Sequence, residues 1–133
     1  MESIQPLRLR NLSSTKERRQ LRSPDSSDAL RLALSSSAYR GELDAVLVTD
    51  DYGMIVAKNA TDMALDMLAA VTPIVARGKA KANIKQGGNP KELSVKSVRI
   101  LGEVLHVAAL GGQSDRREAE IRRSLAATKR ILG

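Results

Sequence analysis

Residues 44–76 constrain the fold more than any other stretch of the chain. Two short apolar runs, residues 45–48 and 54–57, flank a turn of Asp50, Asp51, Tyr52 and Gly53. Runs of this length bounded by turn formers read as strands. Gly53 can take the positive φ that closing such a loop needs, so the segment predicts a β-hairpin. The period then changes. Met63, Ala64, Met67, Leu68, Val71, Ile74 and Val75 recur at the spacing of an amphipathic helix. Beside that stripe runs a second one, Leu65, Ala69, Thr72 and Ala76. A helix that is apolar on more than one side needs more than one partner surface. One face is expected on the chain's own sheet, the other on a further helix or another subunit. Pro73 falls inside the pattern and predicts a kink, or a restart with Thr72 as cap.

The flanking segments either complete the sheet or cover it. Ser23 can cap a helix, Pro24 suits its first position, and Asp25 and Asp28 favour its positive end. Leu30, Ala33, Leu34 and Ala38 then share a face, and Gly41 suits the stop, so a helix is expected over residues 25–39. Asn59 or Thr61 is expected to cap the central helix. Residues 79–92 read as a basic, polar connection punctuated by Gly87, Gly88 and Pro90. Residues 93–101 alternate as a strand with one slip at Ser97, which predicts a bulge or a late start. Gly102 and Glu103 make a turn. Residues 104–110 are apolar on both faces, the mark of an interior strand. After Gly111 and Gly112, Asp115 and Glu118 have the spacing of a capping box. Ile121, Leu125, Thr128 and Leu132 mark the buried stripe of a last helix. The order α-β-β-α-β-β-α predicts an α+β fold, an antiparallel sheet of four to five strands with helices on both faces.

Composition narrows the function. With no Phe, no Trp and only Tyr39 and Tyr52, the core must be aliphatic. The absence of cysteine excludes disulfides and thiolate chemistry. No signal-peptide pattern and no membrane-length apolar run are present, so a cytoplasmic protein is expected. The net charge of +7 is uneven. Residues 1–24 carry six basic and two acidic groups, residues 25–78 four and eight, residues 79–133 twelve and five. Residues 1–24 hold too few apolar side chains to offset chain entropy and predict a flexible basic arm before a domain of residues 25–133. The arm and the basic last helix support an alternative reading, a module binding nucleic acid or anionic membrane. Without aromatics in the arm, a nucleic-acid contact there would be to phosphate alone.

The segment Leu43-Asp44-Ala45-Val46-Leu47-Val48-Thr49-Asp50-Asp51-Tyr52-Gly53-Met54-Ile55-Val56-Ala57, with the central helix and the strand–strand–helix ending after it, resembles the Roadblock (dynein light chain) domain, within the Roadblock–longin fold. The resemblance runs over about residues 25–133 and rests on an apolar strand, a D-x-x-G turn and an apolar strand ending in Ala. The family has three strands after the central helix. Two are legible here, and a fifth strand overall requires the region around Ile84 to supply it. The resemblance implies no catalysis and no cofactor. It implies a dimer, with itself or a paralogue, joined edge to edge with central helices side by side and docking a small Ras-like GTPase or a motor subunit. The partner surface is then expected at Met63, Leu65, Met67, Ala69, Thr72 and Ala76, with Arg116, Arg117 and Arg123 available to an acidic partner.

Other readings of single residues are weaker. His106 has no second histidine or cysteine to share a metal, and is expected to be packed. A Ser-His-Asp site lacks its Gly-x-Ser-x-Gly elbow. Asp50 and Asp51 are expected as water-exposed turn formers. Gly111-Gly112 lacks a phosphate-loop lysine, and Asp115 would repel a phosphate there. Arg116 and Arg117 oppose the helix dipole; an arginine finger on a GTPase is a remoter use for them than a solvated face. A small-ligand sensor would need placed polar groups in a pocket, which an aliphatic core supplies poorly.

Overall fold

A computed structural model describes residues 24–78, 83–86 and 89–133. Helix α1 spans Pro24–Gly41, strands β1 and β2 span Ala45–Asp50 and Ile55–Lys58, and helix α2 spans Asp66–Ala76. Strands β3, β4 and β5 span Asn83–Gln86, Asn89–Ile100 and Glu103–Leu110, and helix α3 spans Ser114–Leu132. Ser23 and the expected arm, residues 1–24, lie outside the described residues except for Pro24, which opens α1. The strands form one antiparallel sheet in the order β2-β1-β5-β4-β3.

Strand alternation divides the core into two layers. Val46 and Val48 of β1 and Leu105, Val107 and Ala109 of β5 face Leu30, Leu34 and Ala38 of α1 and Ile121 of α3. Ala45 and Leu47 of β1 and Ala108 and Leu110 of β5 face Leu65, Leu68 and Ala69 beside and within α2. Helices therefore cover both faces, as expected, and β5 is the interior strand that apolar residues on both of its faces implied. The fifth strand comes from the region around Ile84, where β3 pairs with the first four residues of β4. The slip at Ser97 is not a bulge, because residues 93–100 pair with β5 without interruption. Leu93 and Val95 pack on the α2 side, whereas Val98 and Ile100 pack on the α1–α3 side. The strand changes the face to which it gives apolar side chains halfway along.

Several boundaries differ from expectation for local reasons. Helix α1 includes Gly41, and the left-handed residue after it is Glu42, at φ 53°. Leu43 N donates to Ala38 O at 2.9 Å and Glu42 N to Tyr39 O at 3.3 Å, the two bonds of a Schellman stop. The turn between β4 and β5 is Leu101-Gly102, both at positive φ, and Glu103 already belongs to β5. Asn59 does not cap α2. Its backbone N–H donates to Val46 O and its Oδ1 accepts from Val46 N, both at 2.9 Å, which prolongs the β1–β2 pairing. Thr61 Oγ1 accepts from Met63 N at 3.1 Å in a turn ahead of the helix, which starts only at Asp66. Helix α2 runs through Pro73 without a restart, and Thr72 Oγ1 donates to Leu68 O at 2.8 Å rather than capping. The capping box of α3 does not form. Asp115 accepts from Arg116 N at 2.9 Å, and Glu118 lies 3.7 Å from Lys96 Nζ.

Candidate functional site on the central helix

The two apolar stripes of α2 meet different surroundings. Leu65, Leu68, Ala69, Thr72 and Pro73 are buried on the sheet. Met67, Ala70 and Ile74, at i, i+3 and i+7, face outward, with Met67 82% and Ile74 41% exposed. Met63 and Ala76 are half-buried at the margins of this strip. Of the six residues expected at a partner surface, Leu65, Ala69 and Thr72 are therefore enclosed by the chain's own core, and only Met67 stands fully open. Periodicity resolves two stripes but not which of them the sheet takes. The smaller residues, Ala69 and Thr72, let the helix lie close, and that decides the rotation.

The hairpin turn seats the helix. Gly53 has φ 85°, and a Cβ there would lie 3.0 Å from Ala70 Cα and 3.2 Å from Ala69 O. Ala69 O is the carbonyl to which Pro73, lacking an N–H, gives no bond. Asp50 is buried, against the expectation that it faces water. Its Oδ1 accepts from Tyr52 N at 2.9 Å and Met54 N at 3.0 Å, which fixes the turn from inside. Asp51 is half-exposed and clamps the far end of α2, with Oδ1 2.9 Å from Arg77 Nη2. Arg77 also donates to Asp51 O at 3.2 Å.

His106 joins this clamp to the sheet. The ring is 3% exposed, with Nε2 2.8 Å from Asp51 Oδ1 and Nδ1 2.7 Å from Ser97 Oγ. An ionised Asp51 requires a donor, so Nε2 carries the proton; in the neutral ring Nδ1 then accepts from the Ser97 hydroxyl. The hydrogen bond from His106, and after the opposing effect of burial the charge of Arg77, hold Asp51 below its ordinary 3.8. Serine, histidine and aspartate thus do come together here. Both ring nitrogens are engaged between turn and strand, which leaves neither open to a metal. Among the described residues no group of three or more His, Cys, Asp or Glu is placed to hold a metal ion.

The three arginines separate by role. Arg117 is 3% exposed and donates to Ser94 Oγ at 2.8 Å, Gly111 O at 3.0 Å, Gly112 O at 3.3 Å and Glu92 Oε1 at 2.8 Å. It is a strut between the start of α3 and β4, and the carbonyls ahead of the helix offset its unfavourable place on the dipole. It is not on an open surface, contrary to expectation. Arg116 and Arg123 are exposed, the first 3.3 Å from Glu42 and the second 3.0 Å from Glu120.

The strand order β2-β1-β5-β4-β3, with α2 on one face and α1 and α3 on the other, is a Roadblock/longin-like fold. Solved structures share it at low sequence identity. A structure described as MglB with a tetrameric arrangement superposes with a TM-score of 0.65 at 14% identity, over 83% of this chain and 92% of that one. The gliding protein MglB of Thermus thermophilus gives 0.60 at 15% identity, over 83% and 93%. MglB of Myxococcus xanthus gives 0.52 at 11% identity, over 78% and 87%. No protein-family model and no curated protein sequence matches the chain.

Proposed function

We propose that the chain is a non-catalytic, dimerising adaptor that binds and regulates a small Ras-like GTPase in the cytoplasm. The outward strip Met67–Ala70–Ile74 carries the reading. It is an unpartnered apolar row on a helix whose other side is already buried. Single exposed apolar residues are ordinary, but a row of them on one helix face supports a docking surface there. The Roadblock resemblance supplies the occupant, a second copy laid helix to helix. One of the solved structures with this fold is described as a tetramer. Strand β3 ends the sheet on the side of β4 and offers the edge for pairing. Met63 and Ala76 extend the contact at its margins, while Leu65, Ala69 and Thr72 set the height of the helix from beneath. Arg116 and Arg123 remain as contacts for an acidic partner. Among the described residues no helix is long and apolar enough to cross a membrane.

The test has two parts. Sedimentation velocity at micromolar concentration is expected to show a dimer. Single-turnover GTP hydrolysis and nucleotide release by a small Ras-like GTPase from the same organism are expected to change when the chain is added. A monomer that leaves both rates untouched overturns the proposal.

A further inference from the structure

On the face opposite α2, a cleft of about 410 Å³ lies between α1 and α3. Its walls are Ala33 and Ser36 of α1 and Ala126 of α3, and Arg40, Arg123 and Arg130 converge on it. Glu120, whose side chain is 6% exposed, is bonded to two of these arginines. Arg40 donates to it through Nε at 3.2 Å and Nη2 at 3.1 Å, and Arg123 through Nη1 at 3.0 Å. Among the described residues Arg40 Nη1 and Arg123 Nε and Nη2 are left over from these bonds, and Arg130 forms no hydrogen bond or ion pair. Three arginines line the cleft and Glu120 is bonded to two of them, so the lining arginines carry two positive charges in excess of that carboxylate. Like charges lining one cleft repel one another, and a bound dianion offsets that repulsion. Guanidinium forks match tetrahedral oxyanions in pairs, and the Ser36 hydroxyl adds a donor. Among the described residues no aromatic side chain lines the cleft. Its size is within the range of small-ligand sites.

We propose that the α1–α3 cleft binds a phosphate monoester or diphosphate group, held by Arg123 and Arg130 with Arg40 fixed behind them by Glu120. The inference requires neither dimerisation nor a GTPase, although it uses Arg123, the residue offered above to an acidic partner. The same group can arrive on a soluble phosphorylated molecule or as a lipid headgroup, and the experiment separates the two. The full chain is titrated calorimetrically with sodium pyrophosphate at constant ionic strength. It is also floated with phosphatidylcholine vesicles containing either phosphatidic acid or phosphatidylserine. Saturable one-to-one pyrophosphate binding is expected, weakened at least tenfold in Arg123→Ala/Arg130→Ala. It should change less than twofold in Arg122→Ala/Lys129→Ala, which removes the same charge from exposed positions outside the cleft. Arg123→Lys/Arg130→Lys keeps the charge and loses the forks, and is expected to weaken binding several-fold; it serves if the alanine variant does not fold. Co-flotation with phosphatidic acid but not phosphatidylserine assigns the group to a headgroup, and pyrophosphate binding without co-flotation assigns it to a soluble ligand. Equal losses in the two alanine variants, or no response to pyrophosphate and to phosphatidic acid alike, overturn the site.

Discussion

Met67→Asp is the sharpest perturbation of the proposed interface. Because the side chain is 82% exposed, the folded protomer should lose no more than about 0.5 kcal/mol. The dimer is different. In a contact across a two-fold axis the residue counts twice, and burying one methionine is worth about 1.5–3 kcal/mol. Removing both forfeits about 3–6 kcal/mol, a rise in dimer Kd of roughly 10²–10⁴. Two carboxylates brought to the same place add repulsion. Sedimentation equilibrium across a concentration series measures the Kd, and urea denaturation confirms that the variant is folded. Leu32→Asp is the control, a change at a 65% exposed leucine on α1, across the sheet from α2; its Kd should match that of the parent. A folded Met67→Asp protein whose dimer Kd rises less than tenfold, or a Leu32→Asp change of equal size, would refute the assignment of α2 as the contact.

Other expectations follow from single positions. Glu42→Gly relieves a left-handed residue at a cost of one exposed ion pair with Arg116, so stability should rise by about 1 kcal/mol in urea denaturation. Gly53→Ala places a methyl against the α2 backbone at a positive φ and should destabilise by about 2 kcal/mol, read as a lowered urea midpoint. Arg117→Met removes a buried strut bonded to two backbone carbonyls and should cost about 2–4 kcal/mol, whereas the half-exposed Arg116→Ala should stay within about 0.5 kcal/mol in the same assay. Asp51 titrates below its ordinary 3.8, so its contribution is fully present above that value and is lost as pH falls through the lower folded value. Stability measured from pH 6 downward should therefore fall less steeply near the acid end in Asp51→Asn than in the parent.

The sequence carried most of the fold because the physics there is local and periodic. The hairpin, α1, the interior strand β5 and the last helix all follow from alternation, 3.6-residue spacing and turn formers. Strand β3 was harder to read, since residues 83–86 offer Ile84 as their one large apolar side chain between lysines and polar groups. A signal was present all the same. In the sequence, Gly-Gly between two strand candidates is a two-residue hairpin signal. The candidate site was legible only in part. Two apolar stripes were visible on α2, yet their assignment to core and surface depends on how closely the helix approaches the sheet, a tertiary quantity. Arg117 and Glu120 escaped for a related reason. A charged residue on a basic helix reads as solvated, whereas partners outside the helix, such as the carbonyls of Gly111 and Gly112 for Arg117, or the guanidinium of Arg40 for Glu120, bring it inside.

The hairpin turn and the outer strip of α2 are mechanically one unit. Gly53 touches the helix backbone at Ala69 and Ala70, directly beneath the exposed strip, and Asp51 holds Arg77 just beyond its last turn. His106 anchors Asp51 in β5, and Ser97 anchors His106 from β4. The strip is thus supported at two points, and both depend on a four-residue turn rather than on the helix's own sequence. In the proposed dimer the partner would rest on Met67 and Ile74, and that turn is what lies behind them. Changes at Asp51 or Gly53, which touch no partner, should therefore weaken dimerisation together with stability, whereas Met67→Asp should weaken dimerisation alone. That difference separates a residue that forms the contact from residues that hold it in place.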